Sequence, residues 1–281
     1  MEAVCQVCMH HCSLKPGQRG ICRARKNEGG KIRCENYGQV TSLNLDPVEK
    51  KPLNMFYPGS LILSVGSYGC NLRCPFCQNH EISMADGDRA VSCYVSPQEL
   101  TERARKYQPV GNIGVAFTYN EPLVGWEYVR DAAELVHACG MKNVLVTNGS
   151  ASLSVLEELL PYVDAMNIDL KGFRAEYYRK LGGDLDTVKA FIARAAEGCH
   201  VELTTLIVPG ENDGLSEMAE EAEWIASVNR DIPLHITRFF PRYHMLDREA
   251  TDVQRVYELK ETAENCLPYV YVGNCKKERE S

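Results

Sequence analysis

From Leu61 to Gly273 the chain repeats one pattern: a short apolar run, a turn, and a longer stretch of helical period. The runs are LILSVG (61–66), IGVAFTY (113–119), NVLVTN (143–148), AMNIDL (165–170), VELTTLIV (201–208) and PLHITRF (233–239), with YVYVG at 269–273. Each has the length of a strand and is too short for a buried helix. Between them, SPQEL at 96–100 is a capping box that opens a helix, and WEYVRDAAELVHA covers 126–138 and VLEELL 155–160. DTVKAFIARAAE and SEMAEEAEWIASV follow, and a last helix is expected at about 250–265. Strands and helices alternating through short connections require a parallel sheet, and right-handed crossovers curl that sheet toward a barrel. The expected fold is α/β, a partial (β/α)6 TIM-like barrel. Reactive side chains then belong on the loops after the C-terminal ends of the strands.

At 281 residues, with 44% hydrophobic and 25% charged, the composition is ordinary for a globular protein and excludes disorder, collagen and coiled coil. Residues 1–45 stand apart as a Cys-rich segment with Gly17, Gly20, Gly29, Gly30 and Gly38 and no sustained periodicity. So small a segment needs metal to fold. Residues 46–60 (DPVEKKPLNMFYPGS) read as an extended connector packed on the body, which occupies 61–281. A net charge of −7 gives no nucleic-acid footprint, and no run of 18 apolar residues is present for a membrane span. The start, MEAVCQVCMHHC, lacks a basic region followed by an apolar stretch, so a cytoplasmic location is expected. In that reducing compartment the 13 cysteines are metal ligands and small core residues rather than disulfides.

Directly after the first run comes CNLRCPFCQN, a C-x3-C-x2-C loop that places Cys70, Cys74 and Cys77 at the mouth of the expected barrel. A cubane held by three thiolates leaves one iron free for an exogenous ligand. On spacing alone, a zinc held by three cysteines and water, or three buried thiols, is the competing reading. The motif, its aromatic residue Phe76 and its place after the first strand resemble the radical S-adenosylmethionine (SAM) superfamily. The resemblance implies a [4Fe-4S] cluster whose open iron chelates SAM, and reductive cleavage of SAM to a 5′-deoxyadenosyl radical that abstracts a substrate hydrogen.

The same resemblance assigns further SAM contacts strand by strand. TYNEP after the second strand carries Thr118, Asn120 and Glu121 where the superfamily usually has Gly-Gly-Glu-Pro, and Glu121 is expected to accept a hydrogen bond from the SAM ammonium. TNG carries Thr147 and Asn148 and resembles the ribose and carboxylate region of glycyl-radical activating enzymes, with Val146 where those enzymes carry an acid. Asp169 and Lys171 match a DLK sequence in which the lysine reaches the SAM carboxylate. LIVPGEND resembles the adenine-flanking strand, with Val208 on the base. His235, in HITRFFPRYHM, is either a SAM or substrate contact or a neutral core histidine.

The head carries Cys5, Cys8, Cys12 and Cys22 in a C-x2-C-x3-C-x9-C pattern, a set suited to zinc or to a second iron–sulfur cluster, with Cys34 as an extra thiol. CxxCMHHC, GxxGxCxxRxN, EKKPLNMFYPG, CNLRCPFCQNHEIS, TYNEP, TNG and YVYVGN together resemble the radical SAM member of the AmmeMemoRadiSam system, a family related to pyruvate formate-lyase activating enzymes. By that resemblance the partners are a flavodoxin or ferredoxin reductant and a Memo-like, AMMECR1-like or glycyl-radical protein as substrate. Cys275 has no CxxC mate and is assigned no metal. The leading expectation is hydrogen abstraction from a protein or peptide. Activation of a glycyl-radical enzyme, and a non-catalytic metal-binding assembly protein, are the alternatives.

Overall fold

The computed structural model describes residues 1–275. The head contains two two-stranded antiparallel ladders and one strand of a third, whose partner strand lies in the body. β1 (Ala3–Val4) pairs with β2 (Ser13–Leu14), β3 (Arg25–Glu28) with β4 (Lys31–Cys34), and β5 (Gln39–Val40) with β8 (Cys93–Tyr94). The body is an open sheet of eight strands, and it begins with β6 (Ser42–Pro47), antiparallel to β7 (Leu61–Gly66). The parallel strands that continue the sheet are β9 (Asn112–Phe117), β10 (Lys142–Thr147), β11 (Ala165–Asp169), β12 (His200–Ile207), β13 (Leu234–Arg238) and β14 (Val270–Gly273). β6 and β14 form the two edges, so the barrel is partial, as the alternation predicts.

Helices cover the outer face. They are α2 (Pro97–Lys106), α3 (Trp126–Ala138), α4 (Leu153–Leu159), α5 (Ala175–Leu181), α6 (Leu185–Ala196), α7 (Leu215–Asn229) and α8 (Val253–Glu264), whereas the short α1 (His80–Ser83) follows the cysteine loop at the cavity. The expected cap at Ser96 is present: its side chain accepts from Glu99 N at 3.1 Å. α3 buries Tyr128, Val129, Ala132, Ala133 and Val136, one stripe at helical spacing. Of these, Val129 and Val136 each contribute roughly 1.5–3 kcal/mol by burial. Among the described residues no helix is long and apolar enough to cross a membrane.

Several elements differ from the expectation. α1, α5, β8 and the short strands of the head were absent from it, and β6 runs across the expected boundary between residues 45 and 46, joining the end of the head to the main sheet. The connector does pack on the body, where it stoppers the N-terminal end of the barrel. Val48, Leu53 and Phe56 sit with Ile62, Ala116, Val144 and Ala165, inward-facing residues of their strands. Asn167 Nδ2 donates to Pro52 O at 2.8 Å, and Asn54 N and Met55 N donate to the Glu202 carboxylate at 3.0 and 2.8 Å. A closed bottom leaves the C-terminal ends of the strands as the open face.

Candidate active site

A cavity of about 630 Å³ occupies that open face, within the size range of small-molecule sites. The loop after β7 brings Cys70, Cys74 and Cys77 to its wall. Backbone bonds at both ends fix the loop: Gly69 N donates to Ile82 O at 3.0 Å, Arg73 N to Leu181 O at 2.9 Å, and His244 N to Pro75 O at 2.8 Å. Gly69 is required here, because its φ is +89° and a β-carbon would stand 2.6 Å from the Cys22 carbonyl oxygen. Phe76 meets Phe239 edge to face at 6.3 Å, and Leu72, Phe76, Tyr177 and Leu181 form an apolar collar behind the thiols.

Burial pushes the Cys70 thiol well above its ordinary value, and the nearby Glu121 and Cys74 add to the rise. Burial likewise pushes Cys74 up to about 11, although Lys171 opposes it. Three soft donors facing one void, with a lysine beside them, suit an iron–sulfur cluster with an open iron. Loading such a cluster must release the thiol protons. The chain also supplies N–H groups to the sulfur of Cys70, from Leu72 N at 3.4 Å and Asn148 Nδ2 at 3.7 Å.

Glu121 is buried after β9, and burial pushes its carboxyl up to about 7 against the pull of its hydrogen bonds. Oε1 accepts from Thr147 Oγ1 at 2.7 Å and Leu123 N at 3.0 Å, and Oε2 accepts from Asn148 N at 2.8 Å. The loops after β9 and β10 are thereby locked together. Asn148 also donates to Asn71 Oδ1 at 2.8 Å and so joins the TNG turn to the cysteine loop. Thr118 and Thr147 line the cavity as well. After β11, Lys171 pairs with Asp169 at 2.7 Å, and both face the cavity. Burial opposes the ammonium charge, but Asp169 and the neighbouring thiols of Cys74 and Cys77 raise its pKa above the ordinary value.

Not every expected contact stands where the motif suggested. Asn120 touches the cavity, but its amide is occupied by the backbone: Oδ1 accepts from Ser67 N at 2.9 Å, and Nδ2 donates to Tyr68 O, Gly69 O and Glu121 O. It ties the end of β9 to the end of β7. Val208 is fully buried against Leu72, Cys74 and Phe239 and does not line the cavity; Leu206, two residues earlier, does. The inward positions of β12 are 202, 204 and 206, and residue 208 lies past the strand end, turned into the apolar collar by Asn212, whose Oδ1 accepts from Val208 N at 2.7 Å. Thr204, Thr237, Tyr271 and Asn274 line the wall without having been anticipated. His235 lies on the wall with only 5% of its surface exposed, stacked on Tyr271 and bonded to Glu202.

In the head, Cys5 N donates to Cys12 O at 3.0 Å and closes the first cysteine loop. The sulfurs of Cys12 and Cys22 flank Gly20, where a β-carbon would stand 3.6 and 3.8 Å from them. Burial raises Cys8, with Cys5 and Cys12 within electrostatic reach, and pushes Cys22 up to about 11. Among the described residues no three His, Cys, Asp or Glu side chains close around a point for a single ion. The four head thiols share one neighbourhood, and neither they nor Cys70, Cys74 and Cys77 are drawn into a one-ion cage. Cys34 is separate, bonded to Asn36 Oδ1 at 3.1 Å. The head docks beside the cysteine loop, through His10 Nε2 and Asn71 O at 2.8 Å and a bridge between Cys8 and Ala151.

Residues 64–224 match the model of the Radical SAM superfamily, a span that starts in β7 and takes in the triplet, TYNEP, TNG and DLK. The chain belongs to the radical SAM superfamily. It is 38% identical to an uncharacterized protein of Methanocaldococcus jannaschii over 96% of this chain and 80% of that protein. It is also 27% identical to the pyruvate formate-lyase 1-activating enzyme of Escherichia coli over 52% of this chain and 60% of that enzyme. Among solved structures, Streptococcus suis SuiB bound to S-adenosylmethionine superposes with a TM-score of 0.59 at 14% identity, covering 74% of this chain and 48% of SuiB. A radical SAM methyltransferase from Sphaerobacter thermophilus superposes with a TM-score of 0.57 at 16% identity, over 78% of this chain and 67% of that one. At those identities the structural matches establish the fold alone. Membership in the superfamily implies a [4Fe-4S] cluster and SAM as cofactors.

Proposed function

We propose that this radical SAM protein holds a [4Fe-4S] cluster on Cys70, Cys74 and Cys77 and abstracts hydrogen from a protein or peptide substrate. The observation that carries the proposal is the convergence of the Cys70, Cys74 and Cys77 thiols, Glu121, Asn148, Asp169 and Lys171 on one cavity. When bound, the cluster and SAM supply reductive cleavage of the sulfonium to a 5′-deoxyadenosyl radical. The chain's own residues bind and orient. Lys171, held by Asp169, is positioned for a carboxylate beside the triplet, and the remaining lone pair of Glu121 Oε2 is available for an ammonium. Thr118, Thr147, Leu206 and the collar of Phe76 restrict water around the cofactor.

The proposed physiological setting is the AmmeMemoRadiSam system, with a Memo-like or AMMECR1-like protein as substrate and a flavodoxin or ferredoxin as reductant. It rests on the head, connector and YVYVGN sequences, which lie outside the 64–224 span of the superfamily match. A second setting, activation of a glycyl-radical protein, is favoured by the similarity to the pyruvate formate-lyase 1-activating enzyme, although the chain spans only 60% of that enzyme's length. The head thiols Cys5, Cys8, Cys12 and Cys22 are proposed to hold zinc or a second cluster. Anaerobic incubation of the reconstituted enzyme with SAM, reductant and each candidate protein, followed by mass spectrometry, tests the setting. A SAM-dependent mass change on one candidate supports that pairing, and its absence on all of them rejects these settings.

A further inference from the structure

Glu202 is the third residue of β12, fully buried, and its carboxylate is saturated. Oε1 faces His200 Nε2 at 3.0 Å and Met55 N at 2.8 Å, and Oε2 faces His235 Nε2 at 2.6 Å and Asn54 N at 3.0 Å. Burial would push this carboxyl up, but the hydrogen bonds from His200, His235, Asn54 and Met55 outweigh it and hold it down to about 2. A carboxylate that stays ionised is acceptor-only, so both histidines must donate through Nε2. That fixes the His235 tautomer: a neutral ring carries its proton on Nε2, and the lone pair is on Nδ1. The arrangement has the logic by which a buried acid orients a catalytic imidazole.

Nδ1 of His235 has no hydrogen-bond partner among the described residues and is not among the buried unpartnered atoms, although the ring as a whole is only 5% exposed. The one open side of the ring is the cavity that His235 lines. Tyr271 stacks on one face at 5.2 Å, 25° from parallel, and Thr204 and Thr237 stand on the neighbouring wall. Lys171 and the thiols, at the ends of the strands, mark the cofactor half; His235 lies deeper, level with Thr204 and next to the plug. We propose that His235 Nδ1 is the hydrogen-bond acceptor of a substrate subsite at the cavity floor, which takes a hydroxyl or primary ammonium group, with Glu202 as the positioning residue. The inference rests on the proposed cofactor placement above.

The test is 15N NMR of histidine-labelled, cluster-loaded, oxidised protein saturated with S-adenosylhomocysteine. His235 is assigned from the signals lost in His235→Gln. The expected spectrum shows a protonated Nε2 and an unbonded, pyridine-like Nδ1 both before and after S-adenosylhomocysteine is added. n-Propylammonium then moves the Nδ1 signal upfield saturably, and tetramethylammonium, which has no N–H, does not. Glu202→Gln lets the ring exchange tautomers, so the pyridine-like Nδ1 signal averages and the n-propylammonium response weakens. The wild-type spectra stand alone if that variant fails to fold. An Nδ1–H tautomer, an Nδ1 signal already moved by S-adenosylhomocysteine, or equal responses to the two ammonium ions overturns the subsite. Failure of S-adenosylhomocysteine to bind, seen by calorimetry on the same sample, rejects the cofactor placement instead.

Discussion

Glu202→Gln removes one charge from the barrel floor and changes its shape very little. With the folded carboxyl held at about 2 against about 4.5 in an unfolded chain, Glu202 contributes roughly 3 kcal/mol at neutral pH, at about 1.4 kcal/mol per pH unit. The direction follows from the depressed value: the contribution is complete above about 4.5 and is lost as the pH falls toward about 2. A glutamine retains one acceptor oxygen for two of the four donors and turns an NH2 toward the other two. Two charge-assisted bonds at roughly 1.5–3 kcal/mol each, less the relieved cost of burying the charge, give a similar figure. The loss falls on the plug, because the amides of Asn54 and Met55 are held by this carboxylate. Hydrogen exchange of those two amides is therefore the assay. Relative to intrinsic rates at pH 7, exchange in Glu202→Gln is expected to be on the order of a hundredfold faster. Amides of α3 are expected to change far less, and the difference between the proteins closes as the pH falls below about 4.5. Unchanged protection at Asn54 and Met55, or a difference that persists at the acid end, would refute the assignment of Glu202 as an ionised anchor.

Three other perturbations separate structure from chemistry. Gly69→Ala drives a β-carbon to 2.6 Å from the Cys22 carbonyl and strains a φ of +89°, so it is expected to cost about 3 kcal/mol in urea unfolding and to loosen the head before the body. Asn120→Ala deletes the amide that links the ends of β7 and β9 and is expected to lower stability by about 3 kcal/mol; a loss of SAM affinity without a loss of stability would return Asn120 to the cofactor contacts. Lys171→Met leaves Asp169 unpaired beside the triplet and is expected to weaken SAM binding by roughly 10- to 100-fold in calorimetry, and equal affinity would remove Lys171 from the carboxylate site.

Strand and helix order was legible because both periods are strong: α3 occupies 126–138 and β7 61–66, as the pattern predicts. β6 was not, since SLNLDP offers only Leu43 and Leu45 as apolar residues and ends in proline, and it is a strand chiefly because β7 pairs with it. The triplet, Glu121 and the Asp169–Lys171 pair were singled out by their resemblance to radical SAM motifs, and their places at strand ends put them on the wall of the cavity. Side-chain destinations were harder. Asn120 sits in a motif position but spends its amide on backbone groups, and Val208 follows a strand whose inward parity had already ended at Leu206. Glu202 carried a signal of its own: an acid inside VELTTLIV must find donors, and those donors are Asn54 and Met55 in the connector, 148 and 147 residues away, His235 on the neighbouring strand, 33 residues away, and His200 two residues back.

The central claim is that Cys70, Cys74 and Cys77 hold a cluster that cleaves SAM. Anaerobic iron–sulfur reconstitution followed by dithionite and SAM, with 5′-deoxyadenosine measured, tests it directly. The wild-type protein is expected to bind about four irons at the triplet and to form 5′-deoxyadenosine, and Cys74→Ala is expected to lose both. A fully loaded wild-type cluster that yields no 5′-deoxyadenosine, or a Cys74→Ala protein that retains cluster and product, would contradict it.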